Sequence, residues 1–220
     1  MTVALRQFPA ESEAVRRATL ADCERIARLF RAAFDSDPVF DWLVRRGAKR
    51  ERALQRFFHW TLQRRTIPLG ETWISADRLG AAAWIPPYAP TQPSLVDDLR
   101  MFPIILRLTG IARLVRGAAM AAAMEQAQPK EPHFYLAFIG VAPRLQGEGL
   151  GTLLLERSLA RIDAMQANAY LDNSNPRNLR LYERAGFSVV REIVARRDAP
   201  PLYAMWRPAR KRQGSSTISQ

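Results

Sequence analysis

Apolar positions recur along this chain in two rhythms, and the switches between them mark the elements. Residues 14–18, A-V-R-R-A, predict a short edge strand. Thr19, with Asp22 three residues later, reads as a helix start, and Ile26, Leu29, Phe30 and Phe34 follow at helical spacing. Asp37-Pro38 breaks that pattern. Residues 40–64 resume it through Leu43, Leu54, Phe57, Phe58 and Leu62, which predicts one long helix. Two β segments come next, Thr72–Ser75 and 81–85, joined by a turn over 77–80. Residues 94–127 predict two helices parted near Thr109-Gly110, with Ile104, Leu108, Ile111, Val115, Ala118 and Ala122 forming one apolar stripe. His133–Val141 is a run of nine, rich in aromatic and β-branched residues, and predicts a buried strand. A helix over 150–165, a strand over Asn168–Asn173, a helix over 175–184 ending at Gly186, and strands over 187–194 and 202–206 complete the order. The pattern is α/β, a single domain over 14–208 with β-α-β order in its C-terminal half. Residues 1–13 read as a loose arm and 209–220 as a disordered basic tail.

Composition narrows the class. Hydrophobic residues make up 48% and charged residues 25%, an ordinary globular balance. The single cysteine, Cys23, excludes an internal disulfide framework, and with two histidines there is no Cys/His cluster for a metal. The N-terminus lacks a basic-then-apolar leader, and the most apolar region, 101–124, is interrupted by Pro103, Arg107, Arg113 and Arg116. A cytoplasmic protein without a transmembrane helix is expected. Lys and Arg outnumber Asp and Glu by 33 to 21, nearly all of the excess being arginine, so the field favours anions such as nucleic acid, a membrane surface or a phosphate-bearing small molecule.

The segment Q-G-E-G-L-G-T, residues 146–152, sits between the strand ending at Val141 and the helix that follows. Its glycines would weaken any regular element, so they point to a backbone that must turn sharply or come close to a ligand. A helix start offers unpaired N–H groups and a favourable dipole to an anion, and the missing side chains leave room for a diphosphate. The dinucleotide pattern G-x-G-x-x-G fails, because Thr152 stands three residues after Gly149. The Walker pattern fails for want of a lysine. Q-x-x-G-x-G remains, formed by Gln146, Gly149 and Gly151.

With its flanks, I-G-V-A-P-R-L-Q-G-E-G-L-G-T-L-L-L resembles the acetyl-CoA-binding motif of the GNAT superfamily of N-acetyltransferases, and N-S-N-P-R-N-L-R-L-Y-E-R-A-G-F resembles the same family's second landmark. P-K-E-P-H-F-Y-L and the ending Y-A-M-W-R-P are similar to the puromycin N-acetyltransferase branch. The resemblance implies a central mixed, mostly antiparallel, twisted sheet of six to seven strands flanked by helices, with a helical insertion (87–132) between the third and fourth strands. It also implies acetyl transfer from acetyl-CoA to an amine within a ternary complex. By similarity Gln146, Gly147, Gly149, Gly151 and Thr152 line the diphosphate cradle, the backbones of Ile139 and Val141 pair with the pantetheine arm, Asn175 contacts that arm, and Arg144 meets a phosphate. Tyr182 matches the family tyrosine that protonates the departing thiolate.

An amine near pKa 10.4 is only about one part in 2,500 neutral at pH 7, a handicap of roughly 4–5 kcal/mol, so a base is expected. The strand H-F-Y-L-A-F-I-G-V holds no carboxylate, which departs from the family habit, and Asp172 on the next strand becomes the candidate, with His133 as a possible relay. Trp84, Tyr88, Met101 and Phe102 are candidate walls for the acceptor. A small-molecule amine is the expected acceptor, with no specific nucleic acid, membrane or metal partner and a monomeric or homodimeric state. The alternatives are a protein N-terminus or lysine as acceptor, a silent acyl-CoA-binding or nucleic-acid module using Arg210–Arg212, and membrane association through 101–124.

Overall fold

The computed structural model describes residues 14–89 and 95–210, and for 95–98 the backbone alone. The arm 1–13, the tail beyond Arg210 and the start of the 87–132 insertion at 90–94 lie outside the described residues. Seven strands form one sheet: β1 (Val15–Arg17), β2 (Thr72–Ser75), β3 (Gly80–Ile85), β4 (His133–Val141), β5 (Asn168–Asn173), β6 (Ser188–Ile193) and β7 (Leu202–Arg207), in the order β1-β2-β3-β4-β5-β7-β6. Every neighbouring pair is antiparallel except β4 and β5. One face packs on α1 (Cys23–Ala33) and α3 (Arg50–Thr61) around Phe30, Leu54 and Phe58. The other packs on α6 (Leu150–Ala164) and α7 (Leu179–Arg184) around Leu154, Leu155 and Phe187. α2 (Pro38–Leu43), α4 (Leu95–Thr109) and α5 (Leu114–Ala127) complete the helices, the last two forming the insertion between β3 and β4.

The start of the first helix follows the sequence signal: the Thr19 N–H donates to the Asp22 carboxylate at 2.9 Å, and Arg16 clamps that carboxylate from outside. Two expectations do not hold. The helix predicted over 40–64 is split into α2 and α3: the backbone goes extended at Val44, ψ 141°, and turns through the left-handed region at Gly47, φ +86°. The stripe predicted over 104–122 is not a buried face: Leu108 is buried, but Ile111 is 81% and Val115 65% exposed, and Ala118 and Ala122 are exposed as well. The chain turns at Gly110, at φ +72°, so α5 does not continue the face of α4.

What positions the site is a defect in one strand. Ala83 pairs with Phe138 while the next residue, Trp84, pairs with Leu136, which leaves Ala137 as an extra residue on β4. Such a β-bulge bends its strand and increases the local twist. On the opposite edge, the parallel pairing of β4 with β5 runs through His133↔Asn168, Phe134↔Ala169 and Tyr135↔Tyr170 and stops there. Past the bulge β4 and β5 splay apart, and their facing edges, 136–141 and 171–173, become the two walls of a cleft.

Candidate active site

The cleft encloses about 800 Å³. Besides the splayed strands it is lined by the glycine loop after β4, the turn and helix after β5, and the junction between α1 and α2. Its lining carries groups of both signs, and each follows from local structure.

The glycine loop forms one part of the lining. Gly147 and Gly149 sit at φ +87° and +86°, where a side chain would strain the backbone. Gly149 is the N-cap of α6 and has no side chain to offer, and the first bond within the helix is the Leu153 N–H to the Gly149 carbonyl at 3.0 Å. The N–H groups of Leu150, Gly151 and Thr152 therefore have no partner within the helix and carry its positive dipole end. Gly151 needs no special conformation: an added Cβ would meet nothing nearer than 3.8 Å, the methyls of Leu181 and Val141. The fold has room for a side chain there, so the bareness of Gly151 is spare space facing the cleft. The Gln146 side-chain amide donates to the Val141 carbonyl at 3.2 Å, bracing the loop against the end of β4. Across the gap, Arg177 and Arg184 bracket Leu181 on the cleft wall formed by α7 and its preceding turn.

The lining also holds two carboxylates, Asp37 and Asp172, the acidic side chains among the described residues lining the cleft. Asp172 accepts from the Tyr170 hydroxyl at 2.6 Å and from the Tyr135 hydroxyl at 3.2 Å. Burial pushes its carboxyl up to about 6 against the pull of the two phenols. Both phenols are raised in turn, first by burial and then by the charge of Asp172. Asp37 caps α2, accepting from Val39 N–H at 2.9 Å and Phe40 N–H at 3.1 Å, and its second oxygen accepts from the Ser174 hydroxyl. Burial raises its carboxyl too, opposed by those bonds. Tyr182 is 5% exposed and lines the same cleft; burial and then the field of Asp37 lift its phenol above the usual range. Phe34 and Phe138, edge to face with centroids 5.9 Å apart, form an aromatic wall nearby.

The structure gathers Ile139, Val141, Gln146, Gly147, Gly149, Gly151, Thr152, Asp172, Asn175 and Tyr182 around this one cleft. The Asn175 side chain accepts from the Arg177 N–H at 3.1 Å, capping the turn before α7. Arg144 lines a separate hollow with Arg25, Arg28 and Arg78. His133 packs on Tyr170 and Trp206, with its Nδ1 2.7 Å from the Glu131 carbonyl, outside the cleft lining. The four expected walls lie elsewhere as well: Trp84 is in the core, Tyr88 and Phe102 are exposed, and Met101 lies on α4 outside the lining. Sequence reading missed Asp37, Ser174, Arg177, Arg184 and the Phe34–Phe138 wall. Asp37-Pro38 carried a capping signal, but nothing local tells that α2 starts beside the end of β5.

Comparison with known proteins agrees with this fold. Residues 83–187, from β3 through α7, match the family model described as acetyltransferase (GNAT) family. A mycothiol acetyltransferase from Propionibacterium freudenreichii is 36% identical over 66 residues, 29% of this chain and 21% of its own length, so the chain aligns with about a fifth of that relative. Among solved structures, a protein described as histone acetyltransferase HPA2 and related acetyltransferase, from Corynebacterium glutamicum, superposes with a TM-score of 0.67 at 24% identity, over 91% of this chain and 98% of that one. Drosophila melanogaster polyamine N-acetyltransferase gives 0.60 at 15% identity over 88% and 98%, and Aedes aegypti arylalkylamine N-acetyltransferase 2 gives 0.57 at 14% over 88% and 97%. At these identities the solved structures speak for the fold. The motif-bearing stretch, residues 83–187, carries the match to the GNAT acetyltransferase family.

Proposed function

We propose that this protein transfers an acetyl group from acetyl-CoA to the primary amine of a small cationic molecule, by direct attack within a ternary complex. The observation that carries the reading is the mixed polarity of the cleft. On a chain of net charge +12, its glycine loop presents free N–H groups across from two arginines, while Asp37 and Asp172 add two carboxylates to the same lining. A diphosphate suits the loop and an ammonium suits the carboxylates. The open edges of β4 and β5 between them suit an extended, amide-bearing arm, and Phe34 and Phe138 suit an apolar body on the acceptor or contact with its cation.

When bound, acetyl-CoA supplies the acyl carbon already activated as a thioester. The rest falls to the chain. Asp172, ionised at neutral pH, attracts the ammonium and receives its proton as the nitrogen commits to attack. Its raised carboxyl makes it a stronger base than a surface carboxylate. Tyr182 stays protonated at any working pH and donates a hydrogen bond toward the departing sulfur. Full proton transfer from so weak an acid to a thiolate is uphill, so its contribution is stabilisation of developing negative charge. The likeness to the puromycin branch is one of motifs, and puromycin belongs among the acceptors to be tried. The test is a thiol-release assay with acetyl-CoA and a panel of polyamines, arylalkylamines, aminoglycosides and puromycin. Turnover with a cationic amine is expected. Acetyl-CoA binding without turnover on any amine would leave a silent acyl-CoA module, and acetylation confined to protein termini or lysines would overturn the small-molecule assignment.

A further inference from the structure

Asp37 and Asp172 are held in different ways. Asp37 takes two backbone N–H groups on one oxygen and the Ser174 hydroxyl on the other, bonds that build the start of α2 and fix it beside the end of β5. Among the described residues Asp172 is held by phenols, Tyr170 on Oδ1 at 2.6 Å and Tyr135 on Oδ2 at 3.2 Å. Neither tyrosine lines the cleft. Their two bonds are unequal in setting as well as in length. Tyr170 is fully buried, its ring touching those of His133 and Tyr135 at centroid distances of 5.3 and 5.9 Å. It packs in a cluster with Met120 of α5, Ile193 of β6 and Leu202 of β7, so its hydroxyl has little freedom to turn away. Tyr135 is half-buried. One oxygen of the carboxylate is anchored and the other is loosely held.

We propose that Tyr170 is a positioning residue for the acetyl transfer: it anchors Oδ1 of Asp172, so that Oδ2 is the oxygen that takes the proton of the acceptor ammonium. The proposal rests on the reading of Asp172 as the base, and adds which of its oxygens works and what holds it. A carboxyl oxygen that carries a proton is a poor acceptor. Protonation at Oδ1 would forfeit the 2.6 Å bond, whereas protonation at Oδ2 forfeits the longer one. In the step the N–H bond of the ammonium breaks and an Oδ2–H bond forms. The nitrogen keeps the electron pair and attacks the thioester carbon with it, and Asp172 becomes neutral with its Tyr170 bond intact. Phenols suit this task better than backbone N–H groups or an arginine, which would hold the carboxylate ionised too firmly to receive a proton. Other titratable groups surround the pair. His133 on β4 lies against the Tyr170 ring, and Asp37 at the start of α2 bonds Ser174, two residues past Asp172. Burial and the charge of Asp172 raise the Tyr170 phenol, and Arg191 on β6 opposes them.

Tyr170→Phe keeps the buried ring and removes the hydroxyl. Two readouts are taken on the full chain. One is the pH titration of the Asp172 carboxyl carbon by NMR, identified by its absence from Asp172→Asn. The other is kcat/KM against pH at saturating acetyl-CoA, with spermidine or tyramine as the acceptor. The lost bond favoured the ionised form, so the titration and the acid limb should both move upward from about 6, by about one pH unit. Tyr135→Phe should move them by a smaller step. 3-Fluorotyrosine at position 170 keeps the hydroxyl and makes it a stronger donor, so it should move both downward, which a residue that only fills space would not do. It decides alone if Tyr170→Phe does not fold. The titration needs no acceptor, so it reads the anchoring even where neither amine is turned over. A titration left in place by both changes at 170, or moved as far by Tyr135→Phe as by Tyr170→Phe, would overturn the proposal while leaving Asp172 as the base. A titration that moves while the acid limb stays would overturn the reading of Asp172 as the base, and the proposal with it.

Discussion

Tyr135 and Tyr170 form the last paired step of the parallel β4–β5 ladder, and both of their hydroxyls turn onto Asp172. The point where the sheet opens is thus also the point where its half-buried carboxylate is held. The bulge at Ala137 makes the opening, and the two phenols compensate Asp172 for part of the solvation it loses there.

Asp172→Asn should separate stability from activity. The folded protein raises this carboxyl from an ordinary value near 3.8 to about 6, so it favours the protonated form. The stabilisation from that proton is complete below the unfolded value and is lost as pH rises through about 6, which leaves a penalty at neutral pH. Two units correspond to at most about 3 kcal/mol. The neutral asparagine escapes the penalty. Thermal unfolding should show the variant at least as stable as the parent at pH 7.5, with the advantage gone by pH 4, while amine turnover falls by about 100-fold or more. A variant less stable than the parent at pH 7.5 would show that Asp172 is held by interactions stronger than its two phenols supply.

The same carboxyl sets the pH profile. Asp172 must be ionised to take a proton, so kcat/KM at saturating acetyl-CoA should fall below about pH 6. Above that limb the rate should level off, since Asp172 takes the proton of an acceptor that arrives as the ammonium. In Asp172→Asn the limb near 6 should vanish and the rate should instead climb toward the pKa of the amine, since only acceptor that arrives neutral can then attack. An unchanged acid limb in that variant would assign it to another group, Asp37 being next in line.

The glycine loop offers a pair of substitutions with opposite structural costs. At Gly149 any side chain is strained by φ +86°, so Gly149→Val should lower both stability and coenzyme affinity and cannot tell the two apart. Gly151→Ala adds a methyl in ordinary contact with Leu181 and Val141, within the first turn of a helix where alanine is favoured over glycine. Differential scanning should find the fold unharmed or more stable, by up to about 1 kcal/mol, while calorimetry finds acetyl-CoA affinity reduced about tenfold or more. Unaltered affinity would mean that the loop does not hold a diphosphate against its backbone.

Most of the framework was legible because each strand carries its own signal. The run His133–Val141, the hairpin at 77–80 and the glycine loop are local patterns, and local patterns survive into the fold. What escaped reading depends on contacts far apart in sequence. Ala137 is an ordinary residue between Leu136 and Phe138, and only its pairing with β3 reveals a bulge. Asp37 reads as a helix break and does cap a helix, yet its place beside Ser174 comes from a contact across more than half of the chain. Ile111 and Val115 have core-like periodicity and are exposed, since periodicity reports that a helix has an apolar face and not what covers it.

Tyr182→Phe removes one oxygen from a buried ring that packs edge to face against Phe187, so the core should be little disturbed. If the phenol only fills space, turnover will be unchanged. If it stabilises charge on the leaving sulfur, kcat should drop about 10- to 100-fold while the affinity for acetyl-CoA stays within about twofold, because a hydrogen bond to a charged group is worth roughly 1.5–3 kcal/mol and this one forms as the charge develops. Single-turnover kinetics with a good acceptor amine is the measurement that reads this step without product release.

Arginines near the glycine loop can be told apart by where they face. Arg144 follows the strand-ending V-A-P and by motif alone belongs to the phosphate cradle, but it lines a hollow shared with Arg25, Arg28 and Arg78. Arg177 and Arg184 line the cleft beside Leu181, whose methyl would lie 3.8 Å from a Cβ on Gly151. If proximity to the free helix N–H groups decides which cation meets the diphosphate, Arg177→Ala with Arg184→Ala should weaken acetyl-CoA about tenfold at low salt, and by less at high salt because exposed charges are screened. Arg144→Ala should leave the affinity within about twofold under the same conditions. The reverse outcome, with Arg144 dominant, would mean that the diphosphate leans out of the cleft toward the α1 side of the loop, and the path of the arm between β4 and β5 would have to be redrawn.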